Sequence, residues 1–471
     1  MENTNTRTGS IGQLIICTIA LSLSYAIVLS LSDSLSRIAG ASVAVQIAAS
    51  AIAGAAFIAL AVLSTWRPAL VGPKMLTGIC TTLIIVGIVG ITAGYTGEIP
   101  ALAAFGFCSI SVGGSCTTLL VKASFVSLGT KEIAACIVAS FLLGHGWSFV
   151  FSTLGPVATM VVHFVITLGI LIATNPYYAP LLRHLQASET PNDLAAVRPS
   201  AFVAFGHQLF IYLALFNFSH GYLLAFAPSH LASFDSLFPL GTIAVIGVVL
   251  IMRKGRMFPD ALFSVAVLFI VGGFLLVPIA EIGGTAAASW LSSGVVCFNI
   301  LYLYTLLAIS SRNKINAIPV LAWGASIETF SMLVGSLAGG AILDRFAADH
   351  TAISLLSIAI VLIILGSILF TIRSFSFSRT IESVEPETSL SLATQSSTWE
   401  ERAAHIGKQA ALTPREQEVF ALLARGRNSP FIQKELFITN NTVKAHVKHI
   451  YQKLGVSSHQ ELIDLVDGEK R

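Results

Sequence analysis

Charged side chains are scarce in this chain. Only 11% of its 471 residues are Asp, Glu, Lys or Arg, while 55% are hydrophobic. Soluble domains carry about 25% charged residues. A soluble fold with so few could not keep this much apolar surface from water, so the class to expect is a membrane protein. Cysteine is rare too: Cys17, Cys80, Cys108, Cys116, Cys136 and Cys297 all lie in apolar runs. None forms a Cys-x-x-Cys pair, which leaves no zinc or redox motif. A free thiol in such a run behaves as a small hydrophobe. The chain also has no Walker loop, no His-Glu-x-x-His, no nucleophile elbow and no carboxylate pair in a catalytic frame. Without them, ATP-driven work and the common hydrolytic chemistries have no signature. We expect no enzyme, no cofactor and no metal. No βα repeat stands outside the apolar runs, which argues against control by a phosphorylated receiver segment. The start, MENTNTRTGS, is polar with one Arg and leads into a run long enough to span; no cleavable signal peptide is expected.

What is abundant is apolar sequence in lengths of about 20 residues, the length that crosses a bilayer at 1.5 Å per residue. Twelve spans are predicted, at 11–32, 41–63, 75–96, 101–121, 133–154, 156–174, 203–226, 236–252, 261–280, 285–309, 317–341 and 352–372. Fourteen Lys and Arg fall in the loops of one side: Arg7, Arg67, Lys74, Lys122, Lys131, Arg183, Arg198, Arg253, Lys254, Arg256, Arg312, Lys314, Arg373 and Arg379. The other side has Arg37 and Arg345. Cytoplasmic loops are the cation-rich ones, so both termini are expected in the cytoplasm and the protein in the inner membrane, crossing it many times.

The longest predicted loop, about 175–202, divides the spans into six plus six. In this the region 11–372 resembles the major facilitator superfamily, whose two six-helix halves are joined by a cytoplasmic loop. The Asp-Arg motif that this family usually places between spans 2 and 3 is missing: the loop reads STWRPALVGPKM. A related string, Gly340-Ala-Ile-Leu-Asp344-Arg345, falls on the predicted outer side. That departure argues against active transport.

Residues 373–397 read RSFSFSRTIESVEPETSLSLATQSS, rich in Ser, Thr and Glu without an apolar period. A flexible cytoplasmic linker over 373–411 is expected, with a short helix from the capping box Thr398-Trp-Glu-Glu401 to about Ala410. Beyond it the composition changes. Four helices are predicted in 412–471: one opened by Thr413-Pro414 with Glu416 three residues on, one opened by Ser429-Pro430, one over about 440–454 closed by Gly455, and one capped by Ser458. Two short helices, a tight turn and a third helix without an acidic residue make a helix-turn-helix. That sign of charge suits phosphate, and long donors near the helix start suit base edges.

The strings Leu412-Thr-Pro-Arg-Glu416-x-Glu418-Val419 and Thr442-Val443-Lys444-x-His446-Val447-x-x-Ile450-Tyr451-x-Lys453-Leu454-Gly455-Val456 resemble the LuxR-type DNA-binding domain. The resemblance implies that Lys444, Ala445 and Lys448 face base edges and that Asn441, Thr442 and Lys453 contact phosphates. It also implies that the fourth helix pairs two copies on double-stranded DNA. Where the family usually has Glu-Ile-Ala, this chain has Phe431-Ile432-Gln433.

Ionisable groups at membrane depth are costly and mark candidate sites. Glu328 is the foremost of these, followed by His145, His207 and His220, with His163 also inside a span. A carboxylate with histidines can hold a polar small molecule or pass protons. Gly90-x-x-x-Gly94 and Gly335-x-x-x-Gly339 permit close helix approach, either within the bundle or between copies. The expected whole is all-α: a polytopic bundle at 1–372, a linker at 373–411 and a DNA-binding domain at 412–471. The function to expect is a one-component sensor and transcriptional regulator; a working transporter with a fused regulator and a passive tether are the alternatives.

Overall fold

The computed structural model describes residues 10–39, 43–187, 207–226, 237–276, 280–346, parts of 351–366, 375–384, 403–404, 406–424 and 429–467. The described residues form helices and connecting turns, and the chain divides into two compact units, Met1–Glu385 and Pro386–Arg471.

The first unit contains α1 Ile11–Ala39, α2 Val43–Trp66, α3 Pro73–Thr96, α4 Pro100–Ala123, α5 Thr130–Ser152, α6 Pro156–Ala187, α7 Gln208–Phe226, α8 Leu237–Met252, α9 Pro259–Leu276, α10 Ala280–Arg312, α11 Ala317–Phe346 and the short α12 Phe377–Ser383. Eight of the described helices are long and apolar enough to cross a membrane. Eleven of the twelve expected spans coincide with a helix; most of 352–372 lies outside the described residues. The expected tight turn at Gly155-Pro156 separates α5 from α6.

The six-plus-six organisation is visible in the packing. Helix α1 lies on α5 as α7 lies on α11; α3 lies on α4 as α9 lies on α10; α2 meets α4 as α8 meets α10. The halves join by α2 on α11 and α8 on α5. These three pairings of the first half recur six helices later among the described residues, as in an internal two-fold repeat.

Backbone contact makes two of these pairings possible. A Cβ on Gly335 would stand 2.0 Å from the Phe218 carbonyl oxygen, and one on Gly221 would stand 1.9 Å from that of Met332. Any larger residue would force α7 and α11 apart. Gly90 and Gly94 make the same kind of approach, to Gly106 and Ala103 of α4. Both small-residue spacings are thus used inside the bundle.

Three departures from the expected course have physical causes. Helix α6 continues to Ala187 through Pro176 and Pro180, so the long loop begins later than 175. Proline usually ends a helix; here Tyr178, Leu182 and Leu185 are fully buried and their packing overrides it. Lys122, counted among the loop cations, belongs to the last turn of α4. The first described part of the linker, 375–384, is packed on the bundle, because Phe377, Thr380 and Ile381 bury there.

Contacts at the helix ends gather several cation-rich loops at one end of the bundle. Gln13 at the start of α1 donates to the Ser124 carbonyl (3.2 Å) and the Ser127 hydroxyl (2.7 Å) beyond α4. Lys131 at the start of α5 packs beside Gly255 between α8 and α9. Asp260 at the start of α9 and Arg312 at the end of α10 both hold the 376–384 segment. All six cysteines are free, four of them buried.

The second unit has its own apolar core, built from Leu412, Val419, Phe420, Leu423, Ile432, Val443, Ile450, Leu462 and Val466. Its helices are α13 Pro414–Ala424, α14 Ser429–Leu436, α15 Asn440–Leu454 and α16 His459–Asp467. A helix covers 406–409 before them; the residues of its expected capping box lie outside the described ones. It ends with the amide of Ala411 on the Lys408 carbonyl and that of Leu412 on the Gly407 carbonyl. This closure places Ala411 at φ +47°, a left-handed backbone that suits glycine. Ala411→Gly is therefore expected to stabilise the unit by about 1 kcal/mol. Thermal melts of the fragment 386–471 with and without the substitution check this.

Candidate nucleic-acid interface and an intramembrane polar cluster

Helix α15 is defined at both ends by local chemistry. Thr439 caps its start, accepting from the Thr442 amide at 3.3 Å. Gly455, at φ +67°, ends it. Val443 and Ile450 are fully buried and hold it against the core. Lys444, Ala445, Lys448 and Gln452 are exposed and lie within an arc of about 100° at 3.6 residues per turn. An open groove of about 580 Å³ runs along this face and includes Lys444, Lys448, Ser429 and Ser457. Asn441 and Thr442 are exposed in the first turn; with the Thr442 amide taken by the cap, the helix start offers the N–H groups before it to an anion. The arrangement offers two ammonium groups, hydroxyls and a helix start along one edge.

Lys453 does not belong to this face. It is nine residues from Lys444, which turns it about 180° around the helix. Its Nζ donates to Glu416 Oε2 at 2.7 Å and to the Ala411 carbonyl at 3.1 Å. Glu416 also accepts from the Thr413 amide at 2.8 Å, and its own amide donates to Thr413 Oγ1. Its side chain is 6% exposed. The Lys453 ammonium first, then the Thr413 amide, hold the Glu416 carboxyl down to about 2. Family resemblance grouped Lys453 with the phosphate contacts; in the fold it is the partner of a buried carboxylate that ties α15 to α13. Arg415 adds a second tie by donating to the Leu436 carbonyl at the end of α14, at 2.7 Å.

Inside the bundle, Glu328 faces Lys122 across the two halves, Oε2 to Nζ 3.5 Å. The same ammonium stands 5.8 Å from the Tyr302 ring centre. Tyr302 and His220 both lie within electrostatic reach of Glu328. Four helices therefore converge: α4, α7, α10 and α11. The α7–α11 approach at Gly221 and Gly335 brings His220 there. Pairing reduces the cost of two charges in a bundle core. Glu328 retains 30% exposure and Lys122 13%, so protein does not fully cover the pair.

Of the five membrane residues singled out in the sequence, the structure brings Glu328 and His220 together. His145 is turned to its own helix, with Nδ1 2.8 Å from the Phe141 carbonyl. His207 accepts the Leu209 amide at the start of α7, at 3.1 Å. His163 is buried edge-on to Phe151. Lys122 and Tyr302 are additions. A signal for Lys122 existed: Ser111, Ser115, Thr118 and Lys122 make a half-buried polar stripe at helical spacing on α4. Tyr302, within an apolar run, offered none.

Among the described residues no group of His, Cys, Asp or Glu is arranged to hold a metal. Residues 410–466 match the family described as bacterial regulatory proteins, luxR family. The transcriptional regulatory protein LiaR of Bacillus subtilis is 42% identical over 64 residues, 13% of this chain and 30% of LiaR. The nitrate/nitrite response regulator NarL of Escherichia coli is 41% identical over 59 residues, 12% of this chain and 27% of NarL. A transcriptional regulator of Mycobacterium bovis matches over 54 residues at 41%, only 6% of its own length. The chain thus spans under a third of each of these relatives. Among solved structures, a bacterial homologue of the iron transporter ferroportin covers 75% of the chain at TM-score 0.48 and 13% identity. The major facilitator transporter FucP covers 75% at 0.45 and 14%. With TM-scores under 0.5, this likeness decides neither fold nor activity. Residues 410–466 are a LuxR-family helix-turn-helix DNA-binding domain, carried at the C-terminal end of a protein whose larger part is a bundle of membrane-spanning helices.

Proposed function

We propose that this protein is a one-component sensor: the bundle detects a small molecule and thereby controls the DNA-binding domain on the same chain. The observation that carries the reading is this covalent union of an exposed basic helix α15 with a bundle whose halves meet at a partly open charged pair, Lys122 and Glu328. A polar ligand that competes for either charge has unequal affinity for joined and separated halves, and such a difference is what shifts a conformational equilibrium. Glu328 and His220, with Lys122, are the residues assigned to that ligand. The cation-rich loops lie in the cytoplasm, which puts the DNA-binding domain on the side where DNA is. Lys444, Ala445 and Lys448 read base edges, Asn441 and Thr442 hold phosphate, and two copies bind half-sites about one helical turn apart.

Transcript profiling of cells carrying wild type or Lys444→Ala/Lys448→Ala, with and without a panel of small polar compounds, tests this. A set of genes that answers to a compound in wild type alone supports the sensor. No transcript change from the substitutions defeats it. The same charged pair also favours a second reading, secondary transport with a fused regulator. Uptake into proteoliposomes that Glu328→Gln abolishes, with transcripts unaltered, selects that reading instead.

A further inference from the structure

The segment that leaves the bundle toward the DNA-binding domain begins with a built-in clasp. At its start, the Phe377 amide donates to Asp260 Oδ1 at 2.8 Å and the Ser376 hydroxyl to Oδ2 at 3.0 Å. At its end, Arg312 Nε donates to the Val384 carbonyl at 3.0 Å and Nη2 to the Glu382 carbonyl at 3.3 Å. Between these, Phe377 is 1% exposed, its ring 5.2 Å from Phe263 of α9 and 5.0 Å from Phe375. Phe375 in turn lies 5.1 Å from Tyr212 of α7 and 6.1 Å from His207, which precedes that helix. The clasp therefore reads three helices of the second half at once: the starts of α7 and α9 and the end of α10.

We propose that 375–384 is the coupling element between bundle and DNA-binding domain, docked in one bundle state and released in another. The inference rests on the regulator reading above. Asp260 and Arg312 stand on different helices and grip opposite ends of a seven-residue helix, so sliding α9 against α10 cannot preserve both grips. Helix shifts and order–disorder steps of this kind recur in switches. Docked, α12 advances the chain by about 10 Å. Released and extended, the ten residues 375–384 reach up to about 35 Å. The reach of a tether sets the effective concentration of a linked binding domain, and with it whether two domains engage paired half-sites together.

The coupling must be reciprocal: if docking alters DNA binding, DNA must alter docking. The test uses the full chain in lipid nanodiscs and a promoter duplex taken from the transcript experiment, or any duplex at low salt. Hydrogen exchange is read at the amides of Phe377, Arg379 and Thr380. In wild type, saturating DNA is expected to change their exchange at least threefold. In Asp260→Asn/Arg312→Gln, exchange is expected to rise at least tenfold and DNA affinity to change at least threefold. Wild type that binds DNA with no change in clasp exchange overturns the proposal, and needs no variant to be well folded. So does a variant with a released clasp and wild-type DNA affinity. Wild type that binds no duplex overturns the regulator reading, and this inference with it.

Discussion

Full-length protein carrying Lys444→Ala and Lys448→Ala is expected to bind promoter DNA about 100- to 1,000-fold more weakly than wild type. A lysine that reaches a base edge or phosphate contributes on the order of 1–3 kcal/mol, and each 1.4 kcal/mol is tenfold in affinity. Both side chains are exposed on one arc of a helix whose opposite face is fixed by Val443 and Ile450. Their removal leaves the core of the domain untouched, so the melting temperature of the fragment 386–471 should stay within about 2 °C. Salt titration separates the two kinds of contact. If both lysines neutralise phosphate, the slope of log affinity against log salt falls by about 1.8. If they read bases, the slope holds and discrimination between promoter and random duplex is lost instead. Unchanged affinity in the double variant would remove α15 as the recognition helix.

Glu416→Ala is expected to act in the opposite manner, destabilising the domain without altering its DNA face. The carboxylate is 6% exposed and binds both the Lys453 ammonium and the Thr413 amide. Losing a helix cap costs about 1 kcal/mol, and losing a hydrogen bond to a charged group about 1.5–3. A loss of about 3 kcal/mol follows, a fall in melting temperature on the order of 10–20 °C for a unit of this size. The pH dependence has a defined sign. The folded carboxyl titrates near 2 against an ordinary 4.5, so the unfolded state binds the extra proton in between. The contribution is complete above about 4.5 and is lost as pH falls toward 2. Wild-type 386–471 should therefore lose stability across that window faster than Glu416→Ala does. Parallel curves for the two would show that the pair contributes nothing.

Some of this architecture is written locally. Capping signals at Thr413, Ser458 and Gly455 placed the helices of the second unit within a residue or two, because each depends on groups three or four positions apart in sequence. The span positions followed from length and apolarity alone, the two-half division from the one long loop near 175–202, and the orientation from the uneven distribution of cations. The family string in 412–456 points to α15 as the recognition helix, the role proposed for its exposed face with Lys444 and Lys448.

What local pattern could not supply is partnership across distance. Lys453 carries the same charge as Lys448 in a basic helix, and the 180° turn that sends it to Glu416 matters only once α13 packs there. Lys122 reads as a loop cation until α4 and α11 are side by side. Phe375 to Val384 reads as polar linker, since two phenylalanines make no period, yet Asp260 and Arg312 from 72 to 117 residues away along the chain capture it. The sequence by itself determined which segments enter the bilayer, where the helices of the DNA-binding domain begin and end, and which face of α15 is basic, because burial of apolar surface and helix capping are short-range consequences of residue order. Only the tertiary structure decided which charges are free and which are paired, because an ion pair depends on the distance between side chains that the fold alone brings together.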